Sequence, residues 1–170
     1  MIRMFGALFL AAGAVLFGCA ADRHLKRRVV ELQNLIQGLS TILRELEYRA
    51  APLPDLLGIA AVHTSGQASD FFQLCAQGAE HLNGRTFQEV WRQTMEAVQL
   101  RLEQADLTIL AQLGTFLGRY DTEGQRKMLE NTIAQMEIQR LSAQEQSVRM
   151  GKVYRVLSLT GGAFVLILMI

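Results

Sequence analysis

Proline and cysteine are scarce in this chain, and both shortages narrow the kind of protein it can be. Its 170 residues include two prolines and two cysteines. Cys19 lies inside an apolar run and Cys75 lies in the apolar context FFQLCAQ, so neither a disulfide framework nor a Cys-x-x-Cys motif is present. Pro52 and Pro54 lie together and therefore predict one break in the chain.

Known catalytic signatures are also missing. The three histidines, His24, His63 and His81, are scattered without the spacing of metal ligands. There is no phosphate-binding loop, dinucleotide fingerprint or nucleophile elbow. The nearby carboxylates Glu45 and Glu47 would lie on different sides of a helix. We therefore expect a protein that is not an enzyme and that holds no metal or cofactor.

Charge is absent from both ends of the chain. Residues 4–21 and 156–170 contain no charged side chain. A helix of about 18 residues rises about 27 Å, which is close to the hydrocarbon thickness of a bilayer, whereas 15 residues rise only about 22 Å. We predict transmembrane helices at 1–22 and 154–170 and a cytosolic helical domain at 23–153. Whether the second segment spans completely stays open.

Basic residues flank these apolar ends, and the chain between them is acidic. Between residues 29 and 148 there are nine basic and fifteen acidic side chains, a net charge of −6. Lys and Arg beside membrane segments mark the cytoplasmic side, so the middle should face the cytosol. An acidic middle argues against nucleic-acid binding, which depends on phosphate contacts. The flanking basic collar consists of Arg23, Lys26, Arg27, Arg28, Arg149, Lys152 and Arg155.

The first apolar run has a second interpretation. The sequence LFGC at 16–19 resembles a lipoprotein signal-peptide box, with lipid attached at Cys19. Phe17 stands where a small residue is usual, and the basic run at 23–28 opposes export. These features favour an uncleaved anchor. The alternative is a lipid-anchored extracytoplasmic helical binding module.

Helical periodicity dominates the middle of the chain. No alternating run of Val, Ile or Thr predicts a strand, so the expected fold class is all-α, a helical bundle. The spacings of three and four between apolar residues, together with a capping-box pattern at 86–89, predict the helices. Their predicted positions are 25–48 (continuous with the first apolar run), 53–62, 70–82, 86 onward, about 105–120, and 121 onward without a stop.

The segment LGTFLGRYDTEGQ, at 113–125, concentrates glycine and polar residues. Glycine inside a helix costs about 1 kcal/mol relative to alanine. Gly114 and Gly118 on one predicted helix therefore indicate the close approach of another helix. Asp121 fits a helix N-cap, with Gln125 one turn along. Two interpretations stay open, namely a corner that only packs and caps, or a corner that binds a partner.

Several separated motifs resemble one protein family. They are LRELEYRAAPLPDLL, Phe71-Phe72, Trp91 and LEQADLTILAQLGTFLGRYDTEGQ. These motifs resemble stage III sporulation protein AB of endospore-forming bacteria, and the resemblance covers the whole chain. Arg119-Tyr120 departs from the family, where a small residue before the aspartate is common. The matching positions supply nine candidate partner-interface residues: Glu45, Tyr48, Pro52, Pro54, Asp106, Gly114, Gly118, Asp121 and Gln125.

The resemblance also implies a fold, a machine and partners. The family is similar to the cytoplasmic helical domain of the type II secretion and type IV pilus platform protein, the F component, which implies a six-helix bundle and a scaffold role. It implies membership of the complex that connects mother cell and forespore, in the mother-cell membrane around the forespore. The implied partners are the secretion-type ATPase, stage III sporulation protein AA, other membrane components of that complex, and membrane lipid. A homo-oligomer is also possible.

Overall fold

The described part of the chain consists of α-helices and the short segments that connect them. The computed structural model describes residues 2–49, 51–118 and 122–169, and side chains of its two terminal helices only at 24, 26–48, 122–151 and 153. None of these residues lies in a strand. The all-α class and the expected number of helices are confirmed. The helices are α1 (Ile2–Arg49), α2 (Leu53–Val62), α3 (Gly66–Glu80), α4 (Phe87–Val98), α5 (Gln104–Phe116) and α6 (Thr122–Met169).

Where local chemistry is strong, the predicted helix limits are confirmed. The helix α1 runs without a break from the first apolar run to Arg49, and α2 has the predicted bounds. The capping box of α4 is formed: the Glu89 N–H donates to Thr86 Oγ1 at 3.3 Å, and the Thr86 N–H donates to Glu89 Oε2 at 2.8 Å. Two free amides at the helix start are thereby satisfied.

The helix α3 begins at Gly66, four residues before the predicted start, and its first turn contacts distant parts of the chain. The Glu31 carboxylate, on α1, lies near the Ala68 amide of this turn. Burial raises the pKa of Glu31, and the attraction of Arg101 opposes this shift. The Gln67 side chain donates to the carbonyls of Val98 and Gln99 at 3.2 Å each. Ser65 occupies the N-cap position, but its hydroxyl donates to Asn34 Oδ1 and makes no capping bond.

The helix α5 ends at Phe116, and the prediction that Gly118 lies on it was wrong. Leu117 caps the helix, its N–H bonding to the Leu113 carbonyl at 3.2 Å, and Gly118 follows with φ +79°. A left-handed glycine just after the cap is a common helix stop, because other residues strain there. Residues 119–121, and with them the predicted N-cap Asp121, lie outside the described residues.

The chain divides into two compact units. One contains residues 28–141, and the other contains 1–27 and 142–170, so α1 and α6 contribute to both. The side chains of the predicted membrane segments, 1–22 and 154–170, lie outside the described residues. Within the described part of the chain, no helix has both the length and the hydrophobicity that a membrane crossing requires. The predicted domain limits stay predictions.

The core of the 28–141 unit is an aromatic cluster packed on the buried stripe of α1. Phe71 meets Trp91 edge-on with ring centroids 4.7 Å apart and meets Phe72 at 5.4 Å. The Trp91 indole N–H donates to the Leu110 carbonyl at 2.9 Å, which fixes α4 against α5. The predicted core position of Trp91 is therefore confirmed. The fully or nearly fully buried α1 stripe consists of Leu32, Leu35, Leu39, Ile42 and Leu46.

Gly114 lies against the indole of this cluster. A Cβ atom at Gly114 would lie 2.3 Å from Trp91 Cδ1, well inside van der Waals contact. The close contact predicted at Gly114 is therefore present, and its partner is a side chain rather than a helix backbone. Gly58 on α2 is the opposite case, because a Cβ there would meet no atom within 4 Å.

These two glycines give a matched pair of stability variants. Gly114→Ala should lower the free energy of unfolding, because overpacking costs about 1–3 kcal/mol, against at most about 1 kcal/mol gained in helix propensity. Gly58→Ala should raise it by up to about 1 kcal/mol, since only the propensity changes. Chemical denaturation of both variants measures the two effects. Equal shifts would contradict the contact with Trp91.

Candidate interaction surface at the α1–α2 and α5–α6 turns

The turn between α1 and α2 is shaped by its prolines. Pro52 is extended, with φ −62° and ψ 149°, and its carbonyl accepts the amides of Asp55 at 3.0 Å and Leu56 at 3.2 Å. Pro54 falls in the first helical turn, where its missing N–H leaves no hydrogen bond unmade. The chain therefore reverses sharply after α1, with Pro52 exposed to solvent.

The turn after α5 meets this proline turn. A Cβ at Gly118 would lie 3.5 Å from Leu53 Cδ2, which is an ordinary packing distance. Gly118 is itself exposed, and so is Tyr48 in the last turn of α1, with 81% of its surface accessible. Residues from three distant parts of the sequence thus share one region. We call the region formed by Tyr48, 52–54, Gly118 and 122–127 the turn surface.

Charged side chains from α1 and α6 complete the turn surface. Arg126 binds Glu123 through two hydrogen bonds, Nε to Oε2 at 2.9 Å and Nη2 to Oε1 at 2.8 Å, and also pairs with Glu130. The bond to Glu123 raises the pKa of Arg126 and lowers that of Glu123. Glu47 adds a weaker attraction on Arg126, which places the end of α1 near the start of α6. Exposed pairs of this kind add little stability and stay open to exchange with a partner.

The remaining candidate residues are distributed between this surface and the interior. Gln125 is half-buried in the first turn of α6, within the turn surface. Glu45 has a side chain only 18% exposed, with an oxygen 3.8 Å from Arg44 Nε. Gly114 and Asp106 are buried elsewhere in the 28–141 unit. The structure therefore gathers Tyr48, the prolines, Gly118 and Gln125, and it separates Asp106 and Gly114 from them.

Asp106 belongs to a buried ion pair that was not predicted from the sequence. Its Oδ2 accepts the Arg28 Nε at 2.8 Å and the Glu103 amide at 3.0 Å, and its Oδ1 accepts Arg28 Nη2 at 2.9 Å. Arg28 Nη1 lies 2.7 Å from Glu103, and Nη2 donates to Gln139 at 3.3 Å. The hydrogen bond to Asp106 raises the pKa of Arg28, although burial opposes it.

Arg28 was expected to be a basic residue beside the membrane, but it is only 2% exposed and pairs internally. A sequence signal for this did exist. Arg28 precedes Leu32 by four residues and Leu35 by seven, so it continues the apolar stripe of α1. A charge on a buried stripe needs an opposite charge, and a buried carboxylate is the natural partner. Arg28 therefore holds the bundle together.

No metal centre is formed by the part of the chain that the structure describes. Within it, no group of three or more His, Cys, Asp or Glu side chains is arranged to hold an ion. The chemistry present at the turn surface is that of recognition, with an exposed aromatic ring, rigid turns and exchangeable ion pairs.

Comparison with known proteins gives a family. The sequence profile described as Stage III sporulation protein AB matches residues 3–170. The chain belongs to this family. A solved structure titled "Stage III sporulation protein AB" is similar, with a TM-score of 0.65, covering 72% of this chain and 97% of that chain. At 20% identity this likeness concerns the fold alone. A search of curated proteins gives no match. A sporulation-related role follows from the family.

The ion pair predicts a strongly coupled pair of variants. Asp106→Ala leaves Arg28 buried without its main partner and should cost about 3–5 kcal/mol. The double variant Arg28→Met with Asp106→Leu should recover most of that loss, because an apolar pair of similar volume carries no desolvation penalty. Denaturation of the single and double variants in a mutant cycle measures the coupling. Additive losses would show that Arg28 is solvated.

Proposed function

We propose that the protein is a non-enzymatic membrane scaffold of the machinery for endospore formation and that it docks a cytosolic ATPase through the turn surface. Family membership supports the role in sporulation. The observation that carries the docking proposal is the gathering of Tyr48, Pro52 and Gly118 on one exposed region. The proposed partner is the secretion-type ATPase, stage III sporulation protein AA, together with other membrane components of the same complex.

The turn surface has the chemistry of a protein-binding surface. Tyr48 offers a large amphipathic ring, and tyrosine and arginine are the residue types that most often contribute strongly to binding. Pro52 and Pro54 restrict the backbone of the neighbouring turn, to which Gly118 lies close, so little conformational entropy is lost on docking. Glu123 pairs with Arg126 and Lys127, so the surface presents both signs of charge, and a partner's charged groups can replace those of these exposed pairs.

The membrane part of the proposal rests on the ends of the sequence. Residues 4–21 and 156–170 are without charge, and basic residues flank each segment on the side that faces the middle of the chain. This pattern supports insertion of both ends from the cytosol, with the acidic middle facing the ATPase. The helices α1 and α6 each run through 48 residues. In this proposal they connect the docking region with the membrane and transmit assembly or force.

The docking prediction is tested with Asp121→Asn and Tyr48→Ala. Asparagine keeps an N-cap but removes the charge, so the melting temperature should change little while ATPase binding weakens by about 2–5 kcal/mol. Tyr48→Ala should weaken binding by about 1 kcal/mol or more, because the ring is exposed and supports no core. Pull-down with the ATPase and spore yield are the measurements. Gln88→Ala, an exposed position on α4, is the matched control.

The outcomes of this experiment are distinguishable. Loss of binding and spores with an unchanged melting temperature supports docking at the turn surface. Normal binding and normal spore yield in both variants would contradict docking, and would mean that the 113–125 segment serves only in helix packing and capping. Loss of spores with normal ATPase binding would also contradict the proposal, since a partner other than the ATPase would then bind the turn surface.

The orientation of the middle domain is tested by thiol labelling. Burial raises the pKa of Cys75 to about 12, so this thiol stays protonated and unreactive in the folded protein. A Cys19→Ser, Gln88→Cys variant therefore carries one reactive thiol. A membrane-impermeant reagent should label it only after cell lysis, and the Cys19→Ser parent should stay unlabelled. Labelling in intact protoplasts would place the middle domain outside the cytosol, as the extracytoplasmic alternative requires, although this variant lacks the Cys19 thiol that would carry the lipid.

A further inference from the structure

A groove runs between α2 and α3 in the 28–141 unit. These helices are joined by only three residues, 63–65, and form an αα-hairpin. The open cleft between them has a volume of about 550 Å³. Its apolar lining includes Gly58, Ile59, Ala76 and Val62, which is 81% exposed. The polar side chains of His63, Gln73 and Gln77 also line it. We call this cleft the α2–α3 groove.

The floor of the α2–α3 groove is open because Gly58 has no side chain. A Cβ at Gly58 would meet nothing within 4 Å, although the residue lies inside α2, where glycine is the poorer choice. Ala76, on the opposite helix, is small and buried. Two small residues facing one cleft beside an exposed valine leave room for an apolar side chain from outside.

The charge of the α2–α3 groove has one sign. Asp55 and Glu80 line it, and among the described residues that line it none is lysine or arginine. Asp55 lies in the first turn of α2 and Glu80 is the last residue of α3, so in a hairpin both carboxylates lie at the same end of the cleft. Both residues are exposed. Anionic lipid and nucleic acid would be repelled there.

We propose that the α2–α3 groove binds an amphipathic helix of a partner protein that carries lysine or arginine at one end of its apolar face. In this proposal, the apolar side chains of the partner helix pack on Gly58, Ile59 and Ala76, and its lysine or arginine lies between Asp55 and Glu80. Binding of a helix in a groove is a common mode of peptide recognition. Apolar side chains at helical spacing on the bound helix then make the main contacts with the groove. The proposal does not depend on the ATPase or on the turn surface.

The test uses a labelled synthetic helical peptide with leucines at i, i+3, i+4 and i+7 and two lysines beside its last turn. Its binding to the full chain in mild detergent is measured by fluorescence anisotropy, with empty micelles as the blank. A peptide with glutamates in place of the lysines is the charge control. The lysine peptide should bind saturably and at least about 10-fold more tightly than the glutamate peptide, because opposite charges attract across the groove.

Two variants locate the binding site without disturbing the fold. Gly58→Leu fills the floor at a position with free space and better helix propensity, so it should fold normally and weaken the lysine peptide at least about 10-fold. Asp55→Asn with Glu80→Gln should remove the difference between the two peptides and the salt dependence of binding. Gln88→Leu and Glu96→Gln are the controls, since they make the same kinds of change on α4, away from the groove.

Each other result overturns the proposal. Equal binding of the two peptides, or unchanged binding by Gly58→Leu, would place the peptide elsewhere. Absence of saturable binding by the wild-type chain would show that the groove does not accept such a helix. Light scattering of Gly58→Leu is measured in parallel: loss of an oligomer that the wild type and Gln88→Leu both form would identify a second copy of this chain as the occupant.

Discussion

The buried ion pair between Arg28 and Asp106 is the interaction on which the arrangement of the helices depends. It joins α1 to the first turn of α5, and Arg28 also reaches Gln139 on α6. Removing two charges from water costs several kcal/mol for each ion, and only close, multiple hydrogen bonds offset that cost. Any register of the three helices that separated these groups would leave a buried charge without a partner. The pair therefore selects one register.

That register places the other packing contacts. With α5 held at its start, Leu110 lies where its carbonyl receives the Trp91 indole, and Gly114 lies one turn along against the same ring. The helix ends before Gly118, which lies close to Leu53 of the proline turn. The aromatic core is thus contacted by the middle and the last turn of one 13-residue helix, and the turn surface begins just after that helix ends.

The positions that carry the family resemblance divide into two groups with different physical roles. Asp106 and Gly114 face inward, so substitutions there act through stability. Tyr48, Pro52 and Gly118 face outward and add little to the core, so substitutions at Tyr48 should act through binding. The α2–α3 groove adjoins the outward group, because Pro54 lines the groove and also belongs to the turn surface.

The sequence by itself determined the all-α class, the unbroken first helix, the limits of α2 and the capping box of α4. Each depends on residues within one or two turns of one another, and such neighbours interact in any helical conformation. Only the tertiary structure brings the start of α3 against the end of α4, where the Gln67 side chain donates to the Val98 and Gln99 carbonyls. It also decided the partner of Arg28, because Arg28 and Asp106 are 78 positions apart and their attraction acts only once the helices have packed. The gathering of the turn surface follows from the same cause, since its members meet only through contacts between helix ends.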